Sequence, residues 1–511
     1  MLYAKDIMEL INEAESKFPV EEWTIGNVHI WPLVRFDIFF QLLPQTVNTK
    51  SEKSNREILR LGRRPLWLLK NLFTFLYAIC VNLFRHQDAQ EGADAVFLSD
   101  GSSCTWLNGA WYENFCDPFI SGLRGKNMSS FLLTPTYQYF LPRHTKASFI
   151  LPDLAYIMLK NRFFGNNAPV YAENIRDFDK FLDFLKKKRI SLELPDLKQI
   201  RAKVSFIKEC SSFYKKILKR LDPRFGFRPC YYGVQGMAFN LACHECGVLS
   251  VDIQHGFQVN EHVAYGSWSK VPVSGYELLP AIFWCWSENE ASFINQWSRN
   301  IAGKHKPIAG GNLLLQIWKE GKEDFVSFFD QKIAEVKENH KNCVHILFTL
   351  NTETETEIKQ LTSLIRTVNE RRLPYYFWIR VHPCRLSQKA KFKRILSVFK
   401  EGNIELEKTT GFPLHALLRN IDVHITEFSS TVIEAVDFGV PSVVIHPTGA
   451  KIFKDQLASG WAQEAYDTEE IIASIQAQAG KREQLIRSRA VTQESKTDGL
   501  DTLLNLTSQK R

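Results

Sequence analysis

The sequence predicts an α/β chain made of two doubly wound, parallel-sheet halves behind an N-terminal helical segment. Three observations predict it. Short apolar runs alternate with amphipathic helical stretches from about residue 94; the rhythm starts again after about residue 305; and the apolar runs end in polar turns. The 511 residues leave room for two to four domains at roughly 100–200 residues each. Hydrophobic residues at 45% and charged residues at 23% match ordinary globular usage and exclude wholesale disorder. With only 26 Gly and 20 Pro, a fibrous or linker-like chain is excluded as well.

Lys and Arg total 64 against 56 Asp and Glu, a net charge of +8. That mild excess suits a phosphate-bearing partner or an anionic membrane surface. No basic stripe interleaved with aromatics is present, so nucleic acid is not expected as a partner. The ten cysteines are scattered and form no disulfide framework. Met1–Lys5 runs straight into Asp6 and an amphipathic stretch, not into a signal peptide, which leads to the expectation of a cytoplasmic protein.

Residues 1–50 read as a helix followed by an aromatic-rich unit carrying Ile30, Trp31, Pro32, Phe36, Phe39 and Phe40. Between Lys50 and Lys70 the net charge is +5, and Pro65 then opens the 19 residues Leu66–Phe84. Lys70, Thr74, Ala78 and Asn82 recur every four residues, which marks one polar or small face of a helix. A basic segment feeding such a helix reads as an in-plane membrane anchor over residues 50–85; burial and a true span are the alternatives. Ala95–Ser99, Ser129–Thr134, Cys230–Gly233 and Val248–Ile253 read as strands of the first half, with a helix over Met237–Cys246. In the second half Val344–Leu350, Tyr375–Val381, Val423–Thr426 and Ser442–Ile445 read as strands, with Gly310-Gly311 as the hinge. The domains are expected as a 1–93 extension, a 94–304 acceptor domain, a 305–490 donor domain and a 491–511 tail.

Ligands in such sheets bind at the carboxyl ends of strands, so those turns hold the candidate residues. Ser429-Ser430-Thr431 lies between the strand Val423–Thr426 and a helix carrying Glu434. A serine there caps the helix, and the freed N–H groups suit a phosphate. His382-Pro383, flanked by Arg380 and Arg385, ends the aromatic strand Tyr375–Val381. A histidine so placed donates to a phosphate, and the proline stiffens the turn. Asp252-Ile253-Gln254-His255-Gly256 ends a strand of the first half; His255 is a candidate general base and Asp252 a nucleophile or base. The competing reading of His255 is a structural turn cap. Cys243-His244-Glu245-Cys246 has metal-like spacing, but it sits in an apolar helix without a second pair and reads as core.

Taken together these residues resemble a GT-B glycosyltransferase of bacterial surface-polysaccharide assembly, over about residues 94–475. The strongest part is Asn240–Gly256, with His382-Pro383 and Ser429-Ser430. The paired His-Pro and Ser-Ser motifs are like those of CMP-sugar-using sialyl- and polysialyltransferases and of β-Kdo transferases. The resemblance implies two Rossmann-like domains facing across a cleft, with His382, Ser429 and Ser430 on the donor nucleotide and Arg380, Pro383 and Glu434 beside them. Where sialyltransferases carry an acidic-acidic-Gly motif, Gln254-His255-Gly256 stands here, a His-Gly similar to CDP-glycerol glycerophosphotransferases, which would use His255 as base.

The implied activity is transfer of Kdo from CMP-Kdo to a lipid-linked O-antigen or capsule glycan, retaining through Asp252. If the enzyme inverts, His255 is the base. Asp100, Asp117 and Gln254 are the candidate acceptor contacts. No metal or other cofactor is implied, and the expected place is the cytoplasmic face of the inner membrane. The reading from another class is a non-catalytic glycan- or nucleotide-binding subunit.

Overall fold

The structure, a computed structural model, describes residues 4–42, 92–99, 101, 103–135, 142–151, 171–188, 196–256, 258, 260–299, 301, 304–350, 355–492 and 498–508. The expected membrane-surface segment, 50–85, and Asp100 lie outside them. Among the described residues no helix is long and apolar enough to cross a membrane.

The chain forms two compact units, one of residues 1–312 with 497–511 and one of residues 313–496. The division falls just past Gly310-Gly311. The strands of the first unit are β1 (Thr24–Ile25), β2 (Val28–His29), β3 (Ala95–Leu98), β4 (Cys104–Leu107), β5 (Ala110–Glu113), β6 (Ser130–Pro135), β7 (Phe149–Leu151), β8 (Glu173–Asn174), β9 (Phe225–Pro229), β10 (Leu249–Ile253), β11 (Ile282–Cys285) and β12 (Lys306–Ala309). Seven of them make one sheet in the order β12-β11-β10-β9-β3-β6-β7. All its pairings are parallel. Both faces of a parallel sheet are covered, which is why Ala-Val-Phe-Leu in β3 and Ile-Phe-Trp-Cys in β11 are unbroken apolar runs, buried throughout. β3 starts in the middle and the chain then winds outward to either side, the doubly wound arrangement expected.

Cys230–Gly233 is not the strand that its composition suggested. The strand is β9, one element earlier, and Cys230 turns the chain at a φ of 58° beyond Pro229, which has no N–H to extend the ladder. The turn feeds the helix Val234–Cys246, whose Gly236 lets helix and turn meet: a Cβ there would stand 2.3 Å from the Tyr231 carbonyl oxygen. Gly247 closes the helix at a φ of 73°, and the Val248 N–H returns to the Cys243 carbonyl.

Residues 4–42 fold into the first unit's core instead of extending from it. The helices Ala4–Lys17 and Trp31–Leu42 bury Ile7, Ile11, Trp31, Val34 and Ile38 with β3 and β6 residues. Between them lies a buried ion pair. Glu15 accepts from Arg35, from the Trp31 indole and from Ser269, while Arg35 also donates to the carbonyls of Val263, Gly266 and Ser267. Both carboxylate oxygens and all three guanidinium nitrogens are engaged, the condition under which a buried pair is tolerated. The C-terminal helix Gly499–Ser508 belongs to the same unit, with Leu503 buried and Lys126 bridging to Asp498 at 2.7 Å and Asp501 at 2.6 Å.

The second unit carries β13 (Val344–Thr349), β14 (Tyr375–Arg380), β15 (Ile404–Glu405), β16 (Val423–Thr426), β17 (Ser442–Val444) and β18 (Ala462–Glu464). They form a parallel sheet ordered β15-β14-β13-β16-β17-β18. β13 is again central, so the winding reverses between β13 and β16. Each unit is thus a Rossmann-type α/β body, and the chain has the two-body composition of a GT-B-type fold.

Candidate functional site

In each sheet the reversal of winding leaves the carboxyl ends of two neighbouring strands open to a ligand. In the second unit these are β13 and β16, paired Thr349 to Thr426. The Thr426 hydroxyl donates to the Thr349 carbonyl at 3.2 Å and accepts the Ser429 N–H at 3.3 Å, which shapes the turn. Behind them His424 is fully buried, its Nε2 2.9 Å from the Thr349 hydroxyl and its Nδ1 3.0 Å from that of Ser442. Burial drives its pKa down to about 3, so it stays neutral and serves as a polar brace.

The Ser429 hydroxyl lies 2.9 Å from that of Thr431 and accepts the Thr431 N–H at 3.3 Å, a local turn bond ahead of the helix Thr431–Asp437, whose N-cap residue Ser430 makes no side-chain capping bond. Ser430 is exposed. Glu434 pairs with His415 at 2.9 Å, and His415 stacks on Trp318. On the neighbouring strand the Arg380 guanidinium donates to the carbonyls of Thr409 at 2.7 Å and Phe412 at 2.6 Å. Those bonds tie it to the end of the helix Glu407–Gly411. His382 follows, half-buried, its pKa lowered by burial first and then by the charges of Arg385 and Arg380. Pro383 begins the 3-10 segment Pro383–Gln388.

In the first unit, Asp252 on β10 pairs with Arg228 on β9. It is 1% exposed, and both oxygens are engaged: Oδ1 accepts the Tyr231 N–H at 3.0 Å and Oδ2 the Tyr265 hydroxyl at 3.1 Å. Burial lifts its pKa to about 8, against the opposing pull of the Tyr231 and Tyr265 bonds and the Arg228 charge. The expected nucleophile role is corrected by this geometry. A carboxyl closed in beneath two tyrosines has no face to offer a sugar carbon, and it fixes the turn after β9 instead.

Gln254, expected at an acceptor, is likewise buried. It accepts the Trp286 N–H at 2.7 Å and donates to the Gly256 carbonyl at 2.8 Å and to Glu290 at 2.6 Å. Asp117 is buried too and accepts the Glu113 N–H at 2.7 Å, its pKa raised by burial. Both expectations are corrected: these side chains hold turns.

His255 is the residue that this frame presents. It is half-buried, with Nε2 3.1 Å from the Tyr232 hydroxyl and the Phe115 ring edge-on at 6.2 Å. Tyr232 also lies against His262, whose pKa falls to about 4 through burial and the nearby His255. Burial pushes the Tyr232 hydroxyl well up, so it remains a protonated partner to the imidazole. Sequence reasoning missed Tyr232, Tyr265 and His262. The doubled tyrosine one residue past the β9 proline was the available signal.

No protein-family model and no curated protein matches the sequence. Solved structures do. The UDP-GlcNAc 2-epimerase of Neisseria meningitidis bound to UDP-GlcNAc is 13% identical, with 78% of this chain and 99% of that chain covered and a TM-score of 0.45. The UDP-GlcNAc 2-epimerase of Methanocaldococcus jannaschii is 11% identical, with coverage of 76% and 92% and a TM-score of 0.44. The glycosyltransferase SnogD of Streptomyces nogalater is 13% identical, with coverage of 82% and 99% and a TM-score of 0.39. These findings overturn the expected transfer of Kdo from CMP-Kdo: the similar structures are named for UDP-GlcNAc epimerisation and for glycosyl transfer, not for CMP-Kdo. At such identity the likeness is one of fold.

Proposed function

We propose that the chain is a GT-B-type enzyme acting on a nucleoside-diphosphate sugar. The second unit is the candidate nucleotide site, and His255 is the candidate acid–base group of the first unit. The observation that carries the reading is the second sheet's winding reversal, where β13 and β16 end side by side and the Thr426–Ser430 turn opens. Ser430 is the exposed hydroxyl of that turn, and the half-buried His382 ends the next strand. Both are polar side chains of a kind that suits a diphosphate.

On the first unit, His255 is half-buried and bonded to Tyr232, an arrangement that fixes one ring nitrogen and directs the other. An imidazole so held is suited to general acid–base chemistry near neutral pH. Asp252, one turn behind, sets the backbone of Tyr231 and acts through position alone.

UDP and UDP-GlcNAc are the first ligands to titrate by calorimetry. Micromolar binding, about −8 kcal/mol, is expected. Turnover of the sugar nucleotide, followed by NMR, is expected to fall by roughly 10²–10⁴ in His255→Ala with binding retained. Absence of binding by any nucleoside diphosphate or its sugar conjugate would overturn the reading.

A further inference from the structure

Most enclosed or half-enclosed arginines in this protein spend their donors on partners, although Arg228 donates to the Cys230 carbonyl and leaves its Nη1 without a hydrogen-bond partner among the described residues. Arg35 spends its guanidinium on Glu15 and three carbonyls, and Arg380 spends its own on two carbonyls. Arg419 is held by Asp330 and by the Trp318 and Lys319 carbonyls. Arg143 breaks the pattern. It is 8% exposed, and its Nε and both Nη atoms have no hydrogen-bond partner among the described residues. No ion pair with a described carboxylate completes it, although Asp117 and Glu113 are buried in the same region. A lysine or histidine in that position could shed its proton, but a guanidinium cannot. An enclosed cation without partners is costly, so the geometry calls for an anion.

The backbone shows what kind of ligand fits. β4 and β5 form a hairpin that pairs Trp106 with Trp111, and Trp111 in turn bridges to Arg143 in parallel register. The Trp111 N–H donates to the Pro142 carbonyl at 2.8 Å, and the His144 N–H to the Trp111 carbonyl at 2.9 Å. Residues paired across a ladder project from the same face. Trp106, Trp111 and Arg143 therefore form one row, with Trp106 45% exposed at its outer end and the guanidinium enclosed at its inner end. The two indoles meet at 5.4 Å. His144 packs on Tyr112 on the other face and pins the segment from behind.

We propose that Arg143 is the anchor of an oxyanion-binding site in the first unit, taking a carboxylate or phosphate group whose attached ring lies along Trp111 and Trp106. Asp117 lies near enough to feel the charge of Arg143, while burial is the larger influence on its carboxyl and raises its pKa. Phe115, two residues before Asp117, is the ring that meets His255. The site does not depend on the nucleotide reading above and stands or falls separately.

Inorganic phosphate and malonate, titrated by calorimetry and thermal shift into the full chain, test it. At least one is expected to bind saturably and raise the melting temperature; which one does identifies the anion as phosphate or carboxylate. Arg143→Gln is expected to weaken that binding about tenfold or more, and Arg143→Lys, which keeps the charge but loses the fork, to weaken it by less. Saturable binding of neither probe to the wild type would overturn the site. So would equal binding by wild type and Arg143→Gln, which would place the anion elsewhere.

Discussion

The two sheets have the same topology at their centres, yet their strand ends are finished in opposite ways. In the first unit, β9 and β10 end under aromatic side chains: Tyr231, Tyr265 and Phe283 are fully or almost fully buried and enclose Asp252. In the second, β13 and β16 end in threonines, followed by a turn of small hydroxyl residues whose Ser430 is exposed. Topology decides where a ligand can bind, but the side chains above the strand ends decide whether a polar residue there meets the ligand or meets the core. The same kind of signal, a polar residue after an apolar strand, therefore marks a brace in one unit and an open turn in the other.

The comparison breaks most visibly at Asp252. Replacing it with alanine leaves the Tyr231 N–H and Tyr265 hydroxyl buried without an acceptor. Asp252→Ala is expected to destabilise the first unit by about 3 kcal/mol, with the second unchanged, in hydrogen exchange resolved by unit. Asp252→Asn keeps an acceptor for Tyr231 and is expected to cost far less.

Titration sharpens the contrast. The folded-state pKa of Asp252, about 8, lies above its ordinary value of 3.8. Its contribution is therefore full at acid pH and is lost as pH rises toward 8. His424 and His345 lie the other way, at about 3 and about 4 against 6.5. Their contribution is full above 6.5 and is lost as pH falls through 4. Between pH 6.5 and 8.5 the first unit is expected to lose stability while the second holds. Below pH 5 the second is expected to lose about 2–3 kcal/mol, and the first, whose His262 and His305 are also lowered to about 4, to lose stability there too. Equal slopes for both units in melts between pH 6.5 and 8.5 would contradict the contrast. In Asp252→Asn the alkaline loss is expected to flatten.

The smallest effects lie in the serine turn. Ser429→Ala removes the turn bond from the Thr431 N–H and is expected to cost about 1 kcal/mol. Ser430→Ala is expected to change stability by less than about 0.5 kcal/mol while weakening nucleotide binding about tenfold, which calorimetry beside a melt would separate.

Much of the fold was legible. The strand Val423–Thr426 was placed to the residue, because a β-branched run closed by a polar turn has few other readings. β9 was misplaced because Gly226, Arg228 and Pro229 dilute its apolar pattern, although all five residues are buried. The site was legible as positions and not as roles. Asp252, Gln254 and Asp117 were named from residue type at strand ends, whereas their chemistry is set by Tyr265, Glu290 and the Glu113 N–H, partners 4 to 36 residues away in the chain. Arg143 drew no notice because Pro142-Arg143-His144 follows no motif; only burial and register give it meaning.

The central claim, that the second unit's open turn is the nucleotide site, is tested most directly by hydrogen exchange with and without UDP-GlcNAc. Slowed exchange at 426–434 and 380–388, reversed by Ser430→Ala, is the predicted result. Binding that leaves those segments unprotected, or protects only the first unit, would contradict it.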